Sequence, residues 1–460
     1  MTSSPLSEFG DTQAVANIVH ALAKLKQPNK AIMSKVNEEA EWMVKEGKPQ
    51  HIANTAWAFA KMDVRAPDLF KEIETRASFL VKEGNPQDIA NTAWAYRKLQ
   101  YDAPTLLAAV DSASEVLIKS GKPQEISNVA LAFAEIGHKP DSFFNCLEKH
   151  ADEFVKSASE QAIINVSWSL VTLGLASENE ALLQTLWKRA IETDASKLPR
   201  EALLPLVQVD VHARTSGAKL PPAPPGLKWR MIQAVKVTTE SSSPFEDEYS
   251  ALLADAGFKH QREVQFLDGE YADFMAIDFA CKERKIAVEY DGASHFLTEL
   301  KKGARPNHGR ENGPTTAKRR LMEQMGWKVA NIDYKDNIKM EIAPKWVLEK
   351  EGGVREMKMK YLRNRLEKVG VTLYQMDDIE SMALKLQALK VGTQIEVYWP
   401  NYKRYYQGKI KGPKPIDEDG HTRVLYENGD DKFEDLENEI WRLGTMGGGS
   451  GRVKVKVKVY

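Results

Sequence analysis

Two stretches of the chain are nearly identical: PQHIANTAWAFAKM at residues 49–62 and PQDIANTAWAYRKL at residues 86–99. The offset is 37 residues, and asparagine recurs at this spacing at five positions, Asn17, Asn54, Asn91, Asn128 and Asn165. A unit of this length is too short to bury its own apolar face, so successive units must stack. The period therefore predicts a solenoid, closed by a degenerate sixth unit, PREALLPLVQVDVHA.

Each unit is predicted to contain two helices. Pro49 suits the first turn of a helix, and Ile52, Ala56 and Phe59 follow at helical spacing. A second helix, PDLFKEIETRASFLVKEG, runs to Gly84, where we expect a left-handed helix stop. Repeated pairs of this kind make an α-solenoid.

Amide side chains recur on the first helix of each unit. Gln50 and Asn54 lie four residues apart on one helix face, and the same pair recurs in the next two units. Aligned amides suit the edges or backbone of a single strand, at one unit per nucleotide. Alternatively, the asparagines form a structural ladder that bonds the backbone of the next unit.

Residues that differ between units are better candidates for base recognition, because identical residues cannot discriminate bases. We expect Asp88 and Glu125 to be exposed for this purpose, and we place the repeat tryptophans in the core. The candidate RNA-binding residues of the repeats are Asn54, Asn91, Asn128, His51, Asp88 and Glu125, and the tryptophans are Trp57, Trp94 and Trp168.

The motif ANTAWAFAK and the period resemble the octotricopeptide class of RNA-binding repeats and its heptatricopeptide relatives, over roughly the first 200 residues. Known members act on organellar transcripts, so the resemblance implies single-stranded RNA as the ligand. It also suggests the mitochondrion or chloroplast, although no transit peptide is visible. Similar helical pairs bind proteins, so a protein-interaction scaffold is an alternative.

Composition argues against several classes of protein. Two cysteines, Cys146 and Cys281, are too few for a disulfide framework or a cysteine metal cluster, and they indicate a reducing compartment. No apolar run approaches the length of a membrane span, and the N-terminus lacks a signal-peptide pattern. The net charge of −1 argues against a uniformly basic protein, yet residues 281–370 carry 21 Lys/Arg and 13 Asp/Glu.

After the solenoid, Pro- and Ser-rich stretches predict a linker, and the pattern then changes from helices to strands. YADFMAIDFAC and KIAVEYDGASHF are predicted to pair as a hairpin whose partner positions sum to 567. Asp278 would then face Glu289, with Asp291 on the same side as Glu289. Three carboxylates on one face repel one another unless a divalent metal or a basic partner compensates.

The motifs IDFAC, IAVEYDGASHF, TAKRRLMEQMGWKV and IDY resemble the RAP domain, over about residues 245–350. The resemblance implies a restriction-endonuclease-like core with Asp278 and Glu289 as the metal carboxylates. The lysine of the family's motif is Asp291 here. Relatives similar to the very-short-patch-repair nucleases use histidine instead of that lysine, and His295 stands four residues after Asp291. These four residues are the candidate catalytic set of a Mg²⁺-dependent endoribonuclease. We favour the alternative of an RNA-binding platform without enzymatic activity or a cofactor.

A basic cluster adjoins these motifs. Between residues 301 and 320 there are seven Lys/Arg and one Asp/Glu. Lys318, Arg319 and Arg320 open an amphipathic helix there. We predict that they contact the phosphate backbone of RNA.

The segments VYWP, YYQGKI and VLYENGD are typical of a small all-β barrel and resemble a Tudor domain. The resemblance implies an aromatic cage for a methylated lysine or arginine, with Trp399, Tyr406 and Tyr426 as its rings and Asp430 as its polar wall. The family's fourth aromatic is not evident at Asn428 or Gly429. The alternative is that these rings form the barrel core, with a general role in protein or nucleic-acid contact.

The sequence thus predicts a multidomain RNA-binding protein for organellar RNA processing, stability or translation. An RNA endonuclease, and a scaffold or methyl-mark reader, are the alternatives. The predicted segments are 1–213 α-solenoid, 214–244 linker, 245–370 RAP-like α/β domain, 371–389 helical linker, 390–443 Tudor-like barrel, and 444–460 Gly-rich tail with a Val/Lys strand.

Overall fold

The computed structural model describes residues 10–194, 198–236, 244–300 and 307–371, two single residues (Leu6 and Ser196), and five short strands beyond residue 393. The chain divides into two compact units. One contains 1–241, 263–277 and 289–338, and the other contains 242–262, 278–288 and 339–460.

The first unit begins with stacked helical repeats, as predicted. The long first helices of the repeats are α1 Thr12–Leu25, α4 Pro49–Lys61, α7 Pro86–Leu99, α10 Pro123–Ile136 and α13 Glu160–Leu173. The shorter helices between them are α2 Lys30–Glu38, α3 Ala40–Glu46, α5 Pro67–Thr75, α6 Ala77–Glu83, α8 Pro104–Ser112, α9 Ser114–Ser120, α11 Phe143–Lys149 and α12 Ala151–Ser157. Three further helices end the array: α14 Glu180–Ile191, α15 Arg200–Thr215 and α16 Pro225–Val235. Helix α16 lies in the stretch predicted to be a linker.

The predicted second helix of each repeat is two short helices. In the second repeat the break falls at Arg76, whose φ of −109° and ψ of 19° are not helical. Ala77 follows it and is buried, as is Ala40 at the same place in the first repeat. A small buried residue directly after each break lets the helix turn against its neighbours without a gap.

Gly84 is not a left-handed helix stop. Its φ is −86°, an extended conformation open to any residue. A Cβ atom at Gly84 would lie 2.4 Å from the carbonyl oxygen of Leu80 and 3.1 Å from Cβ of Pro49. Glycine therefore allows close packing between repeats here.

Buried or half-buried polar side chains tie successive repeats together. Asn37 Oδ1 accepts hydrogen bonds from the backbone nitrogens of Asp68 (3.0 Å) and Leu69 (3.2 Å), at the start of α5. Glu74 and Asp111, at the same position in the next two repeats, do the same for α8 and α11. Each side chain thus satisfies helix N-terminal N–H groups that have no intrahelical partner.

An α/β region follows the repeats, as predicted. Its helices are α17 Pro244–Asp255, α18 Gly313–Gln324, α19 Tyr334–Glu341, α20 Lys345–Glu351 and α21 Val354–Lys368. Its strands are β1 Gln261–Gln265, β2 Ala276–Cys281, β3 Ile286–Asp291, β4 Phe296–Glu299, β5 Asn307–Glu311 and β6 Lys328–Asp333. They form a four-stranded sheet of order β1-β2-β3-β6 and a separate β4–β5 pair. The antiparallel β2–β3 pairing joins Phe279 to Val288, the register predicted from the sequence.

The last described region is an antiparallel five-stranded sheet of order β10-β9-β8-β7-β11. Its strands are β7 Gln394–Trp399, β8 Arg404–Ile410, β9 Thr422–Tyr426, β10 Asp431–Glu434 and β11 Ile440–Leu443. Closure of this sheet into a barrel stays a prediction. Asp430, Asn428, the helical linker after residue 371 and the tail at 444–460 lie outside the described residues.

Candidate nucleic-acid interface

The repeated asparagines lie on one face of the stacked long helices. Asn54, Asn91 and Asn128 are each half-buried. Within the described residues their side chains make no hydrogen bond, whereas Asn165 accepts one from Gln161 at 2.8 Å. The predicted bonds to the backbone of the next repeat are therefore not formed, and that role belongs to Asn37 and its equivalents.

The tryptophans next to these asparagines are not in the core. Trp57 and Trp94 are half-buried, and their ring centroids lie 6.3 Å apart. The His20 ring lies 5.1 Å from that of Trp57 and extends the row into the first repeat. Burial, and then Lys24, lower the pKa of His20, which favours the neutral form of its ring. Trp168 is also half-buried, and its Nε1 donates to Gln208.

The residues predicted to recognise bases cap the N-terminal ends of the long helices. Asp88 is only 6% exposed. It forms a capping box with Asn85, and burial raises the pKa of its carboxyl. Half-buried Glu125 accepts a hydrogen bond from the backbone nitrogen of Lys122 at 2.8 Å. The predicted exposure of Asp88 is wrong, because a side chain three residues past a helix start folds back onto the helix terminus.

His51 is enclosed as well. Its Nδ1 lies 2.9 Å from the Thr12 hydroxyl of the preceding repeat. Burial lowers the pKa of the imidazole. These contacts give His51 a structural role in the stack.

The basic residues of α18 make contacts inside the first unit. Lys318 pairs with the buried carboxylate of Glu289. Arg319 pairs with Glu311 and lies 3.8 Å from Asp291. The ammonium and guanidinium groups predicted to meet phosphate are thus matched by carboxylates of the same unit.

Arg320 joins α18 to the repeats. Its guanidinium donates to the carbonyl oxygens of Val171 (2.9 Å) and Thr172 (2.7 Å) at the end of α13. A cation at a helix C-terminus interacts favourably with the carbonyls exposed there. Burial lowers the pKa of Arg320. The start of α18 lies so close to α10 that a Cβ at Gly313 would fall 1.6 Å from the carbonyl oxygen of Ala134.

The β4–β5 pair is joined to the repeats by backbone hydrogen bonds. The Thr298 nitrogen donates to the carbonyl of Gln100 at 2.7 Å, and the Asp102 nitrogen donates to the carbonyl of Thr298 at 3.0 Å. Arg310 in β5 donates to the carboxylate of Asp102 at 3.0 Å and to the carbonyl of Gly137 at 3.2 Å. Strands and helix α18 therefore occupy the C-terminal ends of α7, α10 and α13.

Two of the candidate catalytic residues of the first unit, Asp291 and His295, lie in contact. Asp291 is 2% exposed, and burial raises the pKa of its carboxyl. Asn331 donates to it, and His295 Nδ1 lies 3.4 Å from its Oδ1 and 3.0 Å from the Thr315 hydroxyl. Glu289, 5% exposed, lies two residues before it in β3.

The fourth candidate, Asp278, lies half-buried in β2. Among the described residues, no group of three or more His, Cys, Asp and Glu side chains is arranged to hold a metal ion. The structure thus supplies a basic partner for Glu289, which is one of the two compensators expected from the sequence. Metal-dependent cleavage stays a prediction.

The candidate cage positions of the five-stranded sheet share one face. In the antiparallel register, Val397 pairs with Tyr406 and Gly408 with Tyr426. Positions 399, 406 and 426 therefore belong to the same face of the sheet, because directly paired residues and residues two apart share a face. Recognition of a methylated residue stays a prediction.

Comparison with protein families gives one match for the repeats. The family model described as RNA-editing substrate-binding complex 6 protein matches residues 6–213. The matched stretch runs from before α1 into α15, and therefore covers the helical repeats. No helix among the described residues is long and apolar enough to cross a membrane.

Proposed function

We propose that this protein binds single-stranded RNA along the face of its long helices and works within an RNA-processing assembly. The amides of Asn54, Asn91 and Asn128 carry the proposal, because they lie on an accessible face and make no hydrogen bond within the described residues. Unpaired bases offer donors and acceptors on their edges, which such amides suit. The matched family is named for an RNA-editing substrate-binding complex, which supports both RNA and protein as partners.

The finer assignments follow from the sequence resemblances. We propose a RAP-like role for the α/β region, a Tudor-like role for the five-stranded sheet with a protein partner bearing methylated lysine or arginine, and action in a mitochondrion or chloroplast. Contact between RNA phosphate and Lys318, Arg319 or Arg320 is part of this proposal. The ion pairs of Lys318 and Arg319 and the hydrogen bonds of Arg320 favour a first role in holding α18 in place.

The test is direct binding by the whole chain. Labelled single-stranded RNA is incubated with the protein, with and without Mg²⁺, and the samples are run on native and denaturing gels in parallel. We expect shifted but intact RNA, together with loss of the shift when all three asparagines are replaced by leucine. A shift that persists in this variant would place RNA elsewhere on the chain.

The same gels test the endonuclease alternative. We expect no cleavage under either condition. Reproducible Mg²⁺-dependent cutting by the wild type that Glu289→Gln lacks would overturn this expectation and make His295 the next residue to replace.

A further inference from the structure

Four side chains repeat on one face of each of the first three long helices. They are Gln13, Asn17, His20 and Lys24 on α1; Gln50, Asn54, Trp57 and Lys61 on α4; and Gln87, Asn91, Trp94 and Lys98 on α7. Offsets of four, seven and eleven residues fall within an arc of about 60° on an α-helix. We call this set the amide–aromatic–lysine stripe.

The rings make the centre of the stripe continuous. Successive centroids are 5.1 Å apart from His20 to Trp57 and 6.3 Å apart from Trp57 to Trp94. Each ring is half-buried, so part of it is accessible while its position is held by packing. Aromatic rings of this kind accept nucleobases of any identity, because every base has a π face.

The lysines place positive charge along one edge of the rings. Lys24, Lys61 and Lys98 are exposed, and none makes an ion pair within the part of the chain that the structure describes. The Lys24 ammonium lies 5.6 Å from the centroid of the Trp57 ring. A strand whose bases pack on the rings would therefore have cations available for its phosphates.

The stripe ends after the third repeat. The ring position is Leu131 in α10, and the lysine position there is Glu135, which pairs with Arg97. In α13 the ring of Trp168 is bonded to Gln208. The full set of four side chains is thus confined to three consecutive units.

We propose that the stripe binds three successive nucleotides of a single strand, with bases packed against His20, Trp57 and Trp94 and phosphates beside the three lysines. This inference rests on the proposed RNA-binding function. It adds that stacking and charge contribute to affinity at these units alongside the amides, and that these two contributions are tolerant of base identity. An acidic protein segment would satisfy the lysines alone, whereas a nucleotide satisfies ring, amide and cation together.

The first experiment measures the rings. Fluorescence anisotropy gives the Kd of the full chain for a labelled 12-nucleotide RNA of mixed A and C without self-complementarity. Trp57→Leu/Trp94→Leu should raise Kd by about 5- to 150-fold per lost stacking contact. Trp229→Leu is the matched control, because Trp229 is 63% exposed and lies on α16, away from the stripe.

A strand of the same length with abasic sites throughout separates stacking from charge. The wild type should bind it more weakly than the RNA with bases. The double tryptophan variant should show little further loss, because the interaction that both changes remove is the same one. If removal of the bases weakened binding by the same factor in the wild type and in the variant, the stacking assignment would be overturned.

The second experiment measures the lysines. Lys61→Gln/Lys98→Gln should lower the slope of log Kd against log salt by about 1.4, at about 0.7 per phosphate contact on a single strand. Lys45→Gln/Lys82→Gln removes the same charge from short helices, and should leave the slope unchanged. Circular dichroism checks that each variant is folded.

The outcomes separate the two proposals. Failure of the wild type to bind the RNA would overturn the proposed function and this inference with it. Binding that neither stripe variant weakens more than its control would leave the function standing, overturn the inference, and leave the stripe as a surface for a protein.

Discussion

Replacing His212 with glutamine should make the repeats less sensitive to acid. His212 lies in α15 and is 6% exposed. Burial, followed by the charge of Arg320, lowers the pKa of the imidazole from 6.5 to about 4. The unfolded chain therefore binds this proton below about pH 6.5, whereas the folded chain binds it only below about pH 4. Acid thus favours unfolding between these two pH values. The stability that neutral His212 contributes is fully lost near the lower of them.

The size of the effect follows from the interval. From 6.5 to about 4, at about 1.4 kcal/mol per pH unit, the folded state loses about 3 kcal/mol through this one group. Integrating the linkage relation, about 2 kcal/mol of this is lost between about pH 7.5 and about pH 5. The burial of His212 leaves little screening by solvent.

Urea unfolding followed by far-ultraviolet circular dichroism at these two pH values measures the effect, since the helical repeats dominate the signal. Wild type also carries other histidines with lowered pKa, among them His20 and His138. The quantity to compare is therefore the loss in wild type minus the loss in His212→Gln, expected to be about 2 kcal/mol. His150→Gln is the control. Equal losses in wild type and His212→Gln would refute the argument.

Three substitutions test other contacts. Gly313→Ala puts a methyl group against the carbonyl of Ala134, so hydrogen exchange at the C-terminal ends of α10 and α13 should become faster; unchanged exchange would contradict this. Asp111→Ala removes an acceptor of N–H groups at the start of α11 and should cost about 2 kcal/mol in urea unfolding, against near zero for exposed Asp152→Ala. Glu289→Gln weakens the pair with Lys318 and should lower the melting temperature by a few degrees; an increase would favour relief of carboxylate repulsion.

The period and the hairpin register could be predicted from sequence, because both are set by spacing alone. A 37-residue step fixes which residues are equivalent, and residue alternation fixes the partner of Phe279. The break at Arg76 could not be predicted in this way. Its helical propensity is good, and only packing against the adjacent repeat makes the kink favourable.

The candidate site was predicted in part. The row of asparagines is recognisable from the sequence, but the sequence places the adjacent tryptophans in the core, because a large apolar residue in a repeat is usually buried. The other repeats give the signal that this position is not in the core, since it is His20 in the first repeat and Leu131 in the fourth, which differ in polarity. The basic run at Lys318 resembles a surface patch in the sequence, because acidic partners such as Glu289 are distant along the chain.

The C-terminal ends of the long helices differ between the first three repeats and the next two. In the first three repeats the left-handed residue at or just after the end of the long helix is Lys26, Asp63 or Gln100, and in the next two it is Gly137 or Gly174. At such φ values the backbone of a residue with a Cβ atom is strained by about 1 kcal/mol or more, and glycine avoids this strain.

Glycine also leaves space that is used. A Cβ at Gly137 would lie 3.2 Å from Cα of Gly313, and one at Gly174 would lie 2.8 Å from Cζ of Arg320. The close approach of α18 therefore coincides with the two repeats whose helices end in glycine, and these are also the repeats that lack the full stripe. Replacing one of these glycines tests whether the helix ends cause this difference between the two groups of repeats. Asparagine tolerates the left-handed conformation, but its side chain should displace Arg320, so Gly174→Asn should weaken the docking of α18. RNA affinity at the first three repeats should be unchanged. If docking and RNA affinity were lost together, the two groups of repeats would act as one surface.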